Sequence, residues 1–146
     1  MDEIDRQLIS ALQENGRKSF AELARYVGLS APAVHDRVSK LETSRIITGY
    51  HADIDQNALG FGVTALIGIL PSTSGEDSDV ATQLAALDEV DSIWCLAGEE
   101  SYMLLVRVAD IAELEHTIGR VHRIPGVART RTNVILSTKK RQGRTP

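Results

Sequence analysis

The sequence predicts an α+β fold, with three N-terminal helices, a linking strand and a C-terminal βαββαβ domain of the ferredoxin-like type. Two observations support this prediction. Apolar residues recur at helical spacing up to about residue 45, and strand-like apolar runs alternate with helical stripes after residue 60. The 146 residues are 42% hydrophobic, which suits a globular protein that buries a core.

The first helix is predicted from about Asp2 to Asn15. Its apolar residues Ile4, Leu8 and Leu12 recur every four positions and form one buried stripe. Acidic residues in the first turn suit the positive end of the helix dipole, and the glycine after Asn15 ends the helix.

The second helix is predicted to begin at Ser19, because Ser19 and Glu22 have the spacing of a capping box. Leu23 and Val27 give this helix a buried side. Gly28 follows where the chain must turn sharply, and a residue without Cβ tolerates the backbone that such a turn needs.

The third helix is predicted to begin after Ser30, a good N-cap, with a proline in its first turn. Val34, Val38 and Leu41 share one buried stripe. The opposite face carries small and polar residues, namely Pro32, Asp36, Ser39, Lys40 and Thr43, with Ala33 and His35 on its flanks.

The spacing of Ala24, Gly28 and Val34 matches a helix-turn-helix, in which the second helix lies in the major groove of DNA. An ordinary helical hairpin is the alternative interpretation. The charge distribution favours DNA. The net charge is −4, but residues 17–45 hold six basic and three acidic residues, and the tail 139–146 adds four basic residues and no acidic one.

The remaining elements belong to a second domain. Residues 46–54 are β-branched and roughly alternating, which predicts a strand, and residues 55–60 have the composition of a linker. Further strands are predicted at 61–70, 90–96, 102–109 and 127–138, with helices at 78–87 and after Asp110, a loop at 71–77 and a turn at 97–101. We therefore expect a helix-turn-helix domain at 1–45, a linking strand and hinge at 46–60, a ferredoxin-like domain at 61–138 and a basic tail at 139–146.

The composition excludes several classes of protein. No apolar run is long enough for a membrane span, and the N-terminus does not have the pattern of a signal peptide. The single cysteine, Cys95, excludes an internal disulfide and is expected to be a small core residue. We therefore expect a cytoplasmic protein.

These motifs together resemble the leucine-responsive regulatory protein/AsnC family of bacterial and archaeal transcriptional regulators. The resemblance extends from about Asp2 to Thr138. Its most specific part is N-terminal and includes Asn15-Gly16-Arg17, Ala21-Glu22-Leu23-Ala24, Val27-Gly28-Leu29-Ser30 and Ile47-Thr48-Gly49-Tyr50. In the second half, residues 97–106 resemble the family's glycine loop and the strand that follows it.

The resemblance implies a DNA-binding transcriptional regulator. Its N-terminal domain would bind double-stranded DNA as a dimer, through pairing of the strand at 46–54 with that of a second copy. Its C-terminal domain would dimerise, assemble further, often to octamers, and bind an amino-acid effector between subunits. The effector would change assembly or DNA affinity, and no other cofactor is implied.

The chain departs from the family's pattern at two positions. Arg45 stands where the family usually has glycine, so a left-handed backbone there would carry strain, although the guanidinium could reach a phosphate. Ser101 stands where many relatives carry an aspartate that could accept an effector's amino group. Glu99 or Glu100 would then have to supply the negative charge.

The candidate DNA contacts fall into two groups, because phosphate contacts fix position and base contacts give sequence preference. The phosphate candidates are Lys18, Arg37, Lys40 and Arg45. The base candidates are Ala33, His35, Asp36 and Ser39, and Ser30 at the start of the same helix is included as a DNA-binding residue. Arg37 lies near the edge of the buried stripe, so a structural ion pair is its alternative role, and His35 also fits a plain surface histidine.

The candidate effector-binding residues are Gly98, Glu99, Glu100, Ser101 and Tyr102. A hairpin turn that simply needs glycine is the alternative interpretation. Arg129 and Arg131 project from one face of the last strand, where they could bind a carboxylate or pair with acidic residues of the protein.

An enzyme is not indicated. His51, Asp53 and Asp55 alternate and could present three metal ligands, but no fourth ligand or general base is evident nearby. The sequence has no nucleophile elbow, phosphate-binding glycine loop or CxxC pair, and no metal site is predicted. The alternative function is an effector-sensing assembly module without DNA binding.

Overall fold

The computed structural model describes residues 1–72 and 79–139, and the chain divides into two compact units, Met1–Asp53 and Ile54–Thr138. The described residues form five helices and four strands. The three-helix N-terminal region and the four-stranded sheet confirm the predicted α+β class.

The first unit contains three helices, α1 (Glu3–Glu14), α2 (Phe20–Val27) and α3 (Ala31–Thr43). Side chains of Asp2, Ser19 and Ser30 cap their N-termini, as local hydrogen bonding predicts. Gly28 ends α2 in the left-handed conformation, with a φ of 73°. The core of this unit consists of Leu8, Ala11, Leu23, Ala24, Val34 and Val38.

Residues 46–54, predicted as a strand, are irregular and pair with no other strand of the described chain. A strand needs a hydrogen-bonded neighbouring strand, and the described residues offer this segment none. Ile47 and Tyr50 are among the side chains that hold it to the first unit. Ile47 packs against the helical core, and the Tyr50 hydroxyl donates a hydrogen bond of 2.8 Å to Glu42.

The second unit has the predicted βαββαβ order. Its elements are β1 (Val63–Pro71), α4 (Val80–Ala85), β2 (Val90–Cys95), β3 (Tyr102–Val108), α5 (Ile111–His122) and β4 (Val127–Val134). The strands form one sheet in the order β2-β3-β1-β4, and all neighbours are antiparallel. This topology places β3 and β1 in the middle of the sheet and β2 and β4 at its edges, so the first and last strands of the unit are neighbours.

The two faces of the sheet differ in what covers them. Ile67 of β1 lies opposite Leu104 of β3, and both are buried with Leu84 of α4 and Val121 of α5. The helices therefore cover this face. Because side chains alternate along a strand, Gly68 and its neighbours on the other face point away from the helices. We call this second surface the open face; it carries Leu66, Gly68, Leu70, Trp94, Met103 and Leu105.

Some elements differ from the prediction. The expectation of a buried Cys95 is wrong, because Cys95 ends the edge strand β2 and is exposed. Pro71 continues β1, where a loop was predicted, and β4 ends at Val134 rather than at residue 138. Ser72 of the predicted loop is described, but residues 73–77 of that loop lie outside the described residues. So do residue 78, where the next helix was predicted to start, and residues 140–146 of the tail.

The described residues also bear on membrane spans and metal sites. None of their helices is long and apolar enough to cross a membrane. Over the same ranges, no group of three or more His, Cys, Asp and Glu side chains could hold a metal ion, which includes His51, Asp53 and Asp55.

Candidate nucleic-acid interface and glycine loop

The exposed face of α3 is polar along its whole length. Val34, Val38 and Leu41 turn the apolar stripe inward, where all three are buried. The predicted base candidates His35, Asp36 and Ser39 are exposed on the other side, and Ala33 is half-buried between the two faces. A shallow depression of about 580 Å³ runs along this surface, lined by Asp36, Ser39, Lys40, Thr43 and Ser44.

The start of α3 is fixed by its cap. The Ser30 hydroxyl accepts a hydrogen bond from the Ala33 backbone N–H at 3.4 Å. The Ser30 side chain thus caps the N-terminus of α3. Ser30 is also exposed, at the border of the candidate surface.

His35 is placed by neighbours on both sides. Its ring lies 5.0 Å from the Phe20 ring in an edge-to-face arrangement, and its Nδ1 is 3.6 Å from an Asp36 carboxylate oxygen. These contacts link the candidate surface of α3 to the first residue of α2. The aromatic contact orients the ring. Both predicted roles of His35, a base contact and a plain surface histidine, stay open.

The predicted phosphate candidates differ in how free they are. Lys40 is exposed, and no ion pair joins it to another of the described residues. Lys18 pairs with Glu14 at 2.7 Å and lies 5.9 Å from the Tyr26 ring centroid. Lys40 is thus more available for a phosphate than Lys18 is.

Arg45 has the left-handed backbone that its position relative to the family pattern suggested. Its φ is 56°, and it is the one non-glycine residue with positive φ in the described part of the chain. Its backbone N–H donates to the Glu42 carbonyl at 2.9 Å, so the turn after α3 closes on this residue. A non-glycine residue at this φ carries backbone strain. The Arg45 side chain is exposed at the end of α3.

Arg37 forms an ion pair within the protein, which was the alternative to its predicted phosphate contact. Its Nη1 lies 2.8 Å from a carboxylate oxygen of Asp2 and 2.8 Å from one of Asp5, in the cap of α1. The pKa of Asp2 lies below its ordinary value because its carboxylate accepts from the Asp5 backbone N–H and from Arg37. The same two carboxylates raise the pKa of Arg37, which stays charged.

The glycine loop, residues 96–101, joins β2 to β3 and is closed by two backbone hydrogen bonds. The Leu96 N–H donates to the Ser101 carbonyl, and the Ser101 N–H donates to the Ile69 carbonyl, both at 2.8 Å. A Cβ added at Gly98 would meet no atom within 4 Å. The backbone at Gly98 is therefore open to an approaching molecule.

The two glutamates of this loop are not equivalent. Glu100 Oε1 lies 2.6 Å from Arg131 Nη1, whereas Glu99 Oε2 lies 3.4 Å from Arg131 Nη2. The Glu100 side chain is 18% exposed, and the Glu99 side chain is 65% exposed. Arg131 thus neutralises Glu100, and Glu99 is the carboxylate of the loop that is more accessible to a cation.

The predicted effector candidates are only partly brought together. Glu100 lies on the open face, because its Cγ would be 2.8 Å from a Cβ on Gly68. Tyr102 begins β3 and packs against the helix-covered core. Four of the five candidates therefore belong to the loop itself, and the Tyr102 side chain supports it from the opposite face of the sheet.

Sequence reasoning did not single out Gly68, Asp2 or Asp5 as functional partners. Gly68 did carry a signal, since an isolated glycine in an apolar strand often marks a close approach of another group. Asp2 and Asp5 lie 35 and 32 residues from Arg37, and nothing local in the sequence joins them.

Comparison with known proteins gives consistent results for both units. Residues 1–42 match the AsnC-type helix-turn-helix domain, and residues 64–145 match the Lrp/AsnC ligand binding domain. The HTH-type transcriptional regulator LrpA of Mycobacterium tuberculosis is 41% identical over 138 residues, which cover 94% of this chain and 91% of that protein.

Two solved structures are similar over nearly the whole chain. The structure of AsnC from Escherichia coli has 31% sequence identity and a TM-score of 0.87, and the similarity covers 100% of this chain and 97% of that one. A feast or famine regulatory protein from M. tuberculosis complexed with L-methionine has 38% identity and a TM-score of 0.87, covering 99% and 97% of the two chains.

Proposed function

Because the chain belongs to the Lrp/AsnC family of transcriptional regulators, we propose that the exposed face of α3 binds the major groove of double-stranded DNA and that an amino acid at the glycine loop modulates this binding. The observation that carries the first part is the two-sided character of α3. Its apolar stripe is buried, its polar face is free of the protein, and Gly28 sets the turn before it.

The proposed contacts to DNA divide by chemistry. Lys18, Lys40 and Arg45 contact phosphates, and the excess of basic residues in 17–45 supports binding despite the negative charge of the whole chain. Ala33, His35, Asp36 and Ser39 face the bases, where Asp36 accepts from cytosine N4 and Ala33 contacts a thymine methyl. With no Asn or Gln on this face, we expect modest direct readout supplemented by DNA shape.

The proposed effector is an amino acid. The complex of a similar regulator with L-methionine supports this class of ligand. In this chain Ser101 is neutral and Glu100 is paired with Arg131, so Glu99 is the loop carboxylate that would accept the ammonium group. Open backbone at Gly98 leaves room for the ligand's approach. The proposal includes no catalytic step, metal or other cofactor.

The proposed assembly is a dimer that associates further, up to an octamer. The apolar side chains of the open face support association with a second copy, and Trp94 among them is 48% exposed. Residues 46–54 support it too, because they have strand composition but no strand partner within the described chain. We further propose that residues 1–45 form the domain that binds DNA, and that residues 61–138 form the domain that binds the effector and assembles with other copies. The protein would act in the cytoplasm, where it can reach the chromosome.

One experiment tests the proposed function. A gel-shift assay with the DNA upstream of the protein's own gene is repeated with each of a panel of L-amino acids, L-methionine included. We expect salt-sensitive, specific retention that at least one amino acid changes. Assembly that responds to an amino acid, with no retention of any DNA, would instead support the effector-sensing assembly module.

A further inference from the structure

The cap of α1 and the candidate recognition helix α3 share one guanidinium group. Asp2 and Asp5 form a reciprocal capping box, in which Asp2 Oδ1 accepts from the Asp5 N–H and Asp5 Oδ2 accepts from the Asp2 N–H, both at 2.9 Å. The two remaining oxygens, Asp2 Oδ2 and Asp5 Oδ1, both accept from Arg37 Nη1 at 2.8 Å. All four carboxylate oxygens of the cap are therefore used.

This arrangement leaves Arg37 only partly exposed. Its side chain is 32% exposed, and that of Asp5 is 15% exposed. A guanidinium that is held by two carboxylates has little to gain from a phosphate, because it would first have to leave both. The neighbouring Lys40, on the polar face of the same helix, has no such partners among the described residues.

The bridge supplies what the apolar core lacks. Leu8 of α1 and Val34 and Val38 of α3 are buried together, which holds the two helices at a fixed distance. Apolar contacts are not directional, so they fix the rotation of α3 about its axis less sharply than directional hydrogen bonds do. Two short, charge-assisted hydrogen bonds resist that rotation, and the rotation of α3 decides which side chains reach the base edges.

We propose that Arg37 is a positioning residue for DNA recognition: anchored by Asp2 and Asp5, it fixes the orientation of α3 and does not itself contact DNA. This inference rests on the proposed binding of DNA by α3. It predicts that the loss of one negative charge changes DNA affinity in the direction opposite to simple electrostatics. Removing the negative charge of Asp5 weakens specific DNA binding, although the loss of a negative charge near DNA would by electrostatics alone strengthen it.

The test compares Asp5→Asn with Glu3→Gln in the full-length protein. Both variants remove one negative charge from the first turns of α1, but among the described residues Glu3 pairs only with Arg6, at 3.5 Å, and its side chain is 71% exposed. Binding is measured by fluorescence anisotropy on two duplexes of equal length, one from the region upstream of the protein's own gene and one of unrelated sequence, over a range of salt concentrations.

We expect Asp5→Asn to weaken binding to the upstream duplex about tenfold, because misplaced base contacts are lost, while binding to the unrelated duplex is unchanged. Glu3→Gln should leave the ratio between the two duplexes as it is. Loss of stability alone would lower both affinities equally, so this ratio separates positioning from folding. Arg37→Lys, which keeps the charge but not the shared geometry, should reproduce the tenfold loss without changing the salt slope on either duplex.

Two results would overturn the inference while leaving DNA binding intact. One is an Asp5→Asn protein that discriminates between the duplexes as well as Glu3→Gln does. The other is an Arg37→Met protein whose salt slope on unrelated DNA falls by about one, the sign of a lost phosphate contact. If the unmodified protein bound neither duplex, the proposed function would fail together with the inference.

Discussion

Arg131 of β4 reaches Glu100 across β1 at the one position where that strand has no side chain. The donor and acceptor atoms are 2.6 Å apart, and Gly68 lies beneath Glu100, on β1 between β3 and β4. The glycine loop is thereby tied to the far side of the sheet. A change that breaks the ion pair between Arg131 and Glu100 should therefore also change the geometry of the glycine loop, where the effector is proposed to bind.

We expect Gly68→Ala to impair the effector response. A methyl group at this position would lie 2.8 Å from Glu100 Cγ, so Glu100 must shift. Affinity for an amino acid should fall roughly tenfold, which corresponds to about 1.4 kcal/mol, while DNA binding without effector is unchanged. Isothermal titration with L-methionine and the other L-amino acids measures it. Gly119→Ala in α5, whose Cβ would meet nothing within 4 Å, is the matched control.

Gly98→Val should abolish the effector response without damaging the fold. The added Cβ meets no atom within 4 Å, and the backbone at Gly98 is not left-handed, so neither a clash at Cβ nor backbone strain is introduced. The melting temperature should therefore match that of the parent protein, and gel shifts without effector should be unaltered. An effector response that persisted would move the ligand site away from this loop.

Arg45→Gly should stabilise the protein and lower its affinity for DNA. Glycine relieves the strain of a φ of 56°, which is worth about 1 kcal/mol. The lost guanidinium removes a proposed phosphate contact and should lower the salt slope by about one. Arg45→Ala is the control, since it removes the same charge but keeps the strain. Thermal unfolding should separate the two variants, and DNA binding should not.

Tyr50 should give the first unit a dependence on alkaline pH. Burial and the hydrogen bond to Glu42 raise the pKa of its phenol to about 12, from 10.0. A raised pKa in the folded state means that the stabilising contribution is complete below pH 10 and is lost as the pH rises through about 12. Ultraviolet titration of the protein should show a phenol that titrates late. Tyr50→Phe should remove it, and Glu42→Gln should lower its pKa only in part, because burial is the larger cause.

Local signals in the sequence sufficed for most of the fold. Ser19 and Ser30 each carry the hydrogen-bonding group that a helix N-terminus requires, and Gly28 supplies the left-handed residue between two helices. The alternation of elements after residue 60 was enough to predict the sheet. These features depend on near neighbours in the chain, which is why reading along the sequence found them.

Features that depend on distant neighbours were predicted less well. Cys95 lies in an apolar run, but the sequence does not reveal that β2 is an edge strand. Arg37 could be given two roles, and only its meeting with Asp2 and Asp5, more than thirty residues away, separates them. Residues 46–54 have strand composition, yet strand formation depends on a partner that the described chain does not contain.

The salt dependence of DNA binding by Lys40→Ala tests the central claim most directly, that the exposed face of α3 holds DNA. Lys40 is exposed on that face and unpaired among the described side chains, so its removal should leave the fold intact. We predict weaker binding to all duplexes and a slope of log affinity against log salt that falls by about one. An unchanged affinity together with an unchanged slope would contradict the assignment of α3 as the DNA-binding helix.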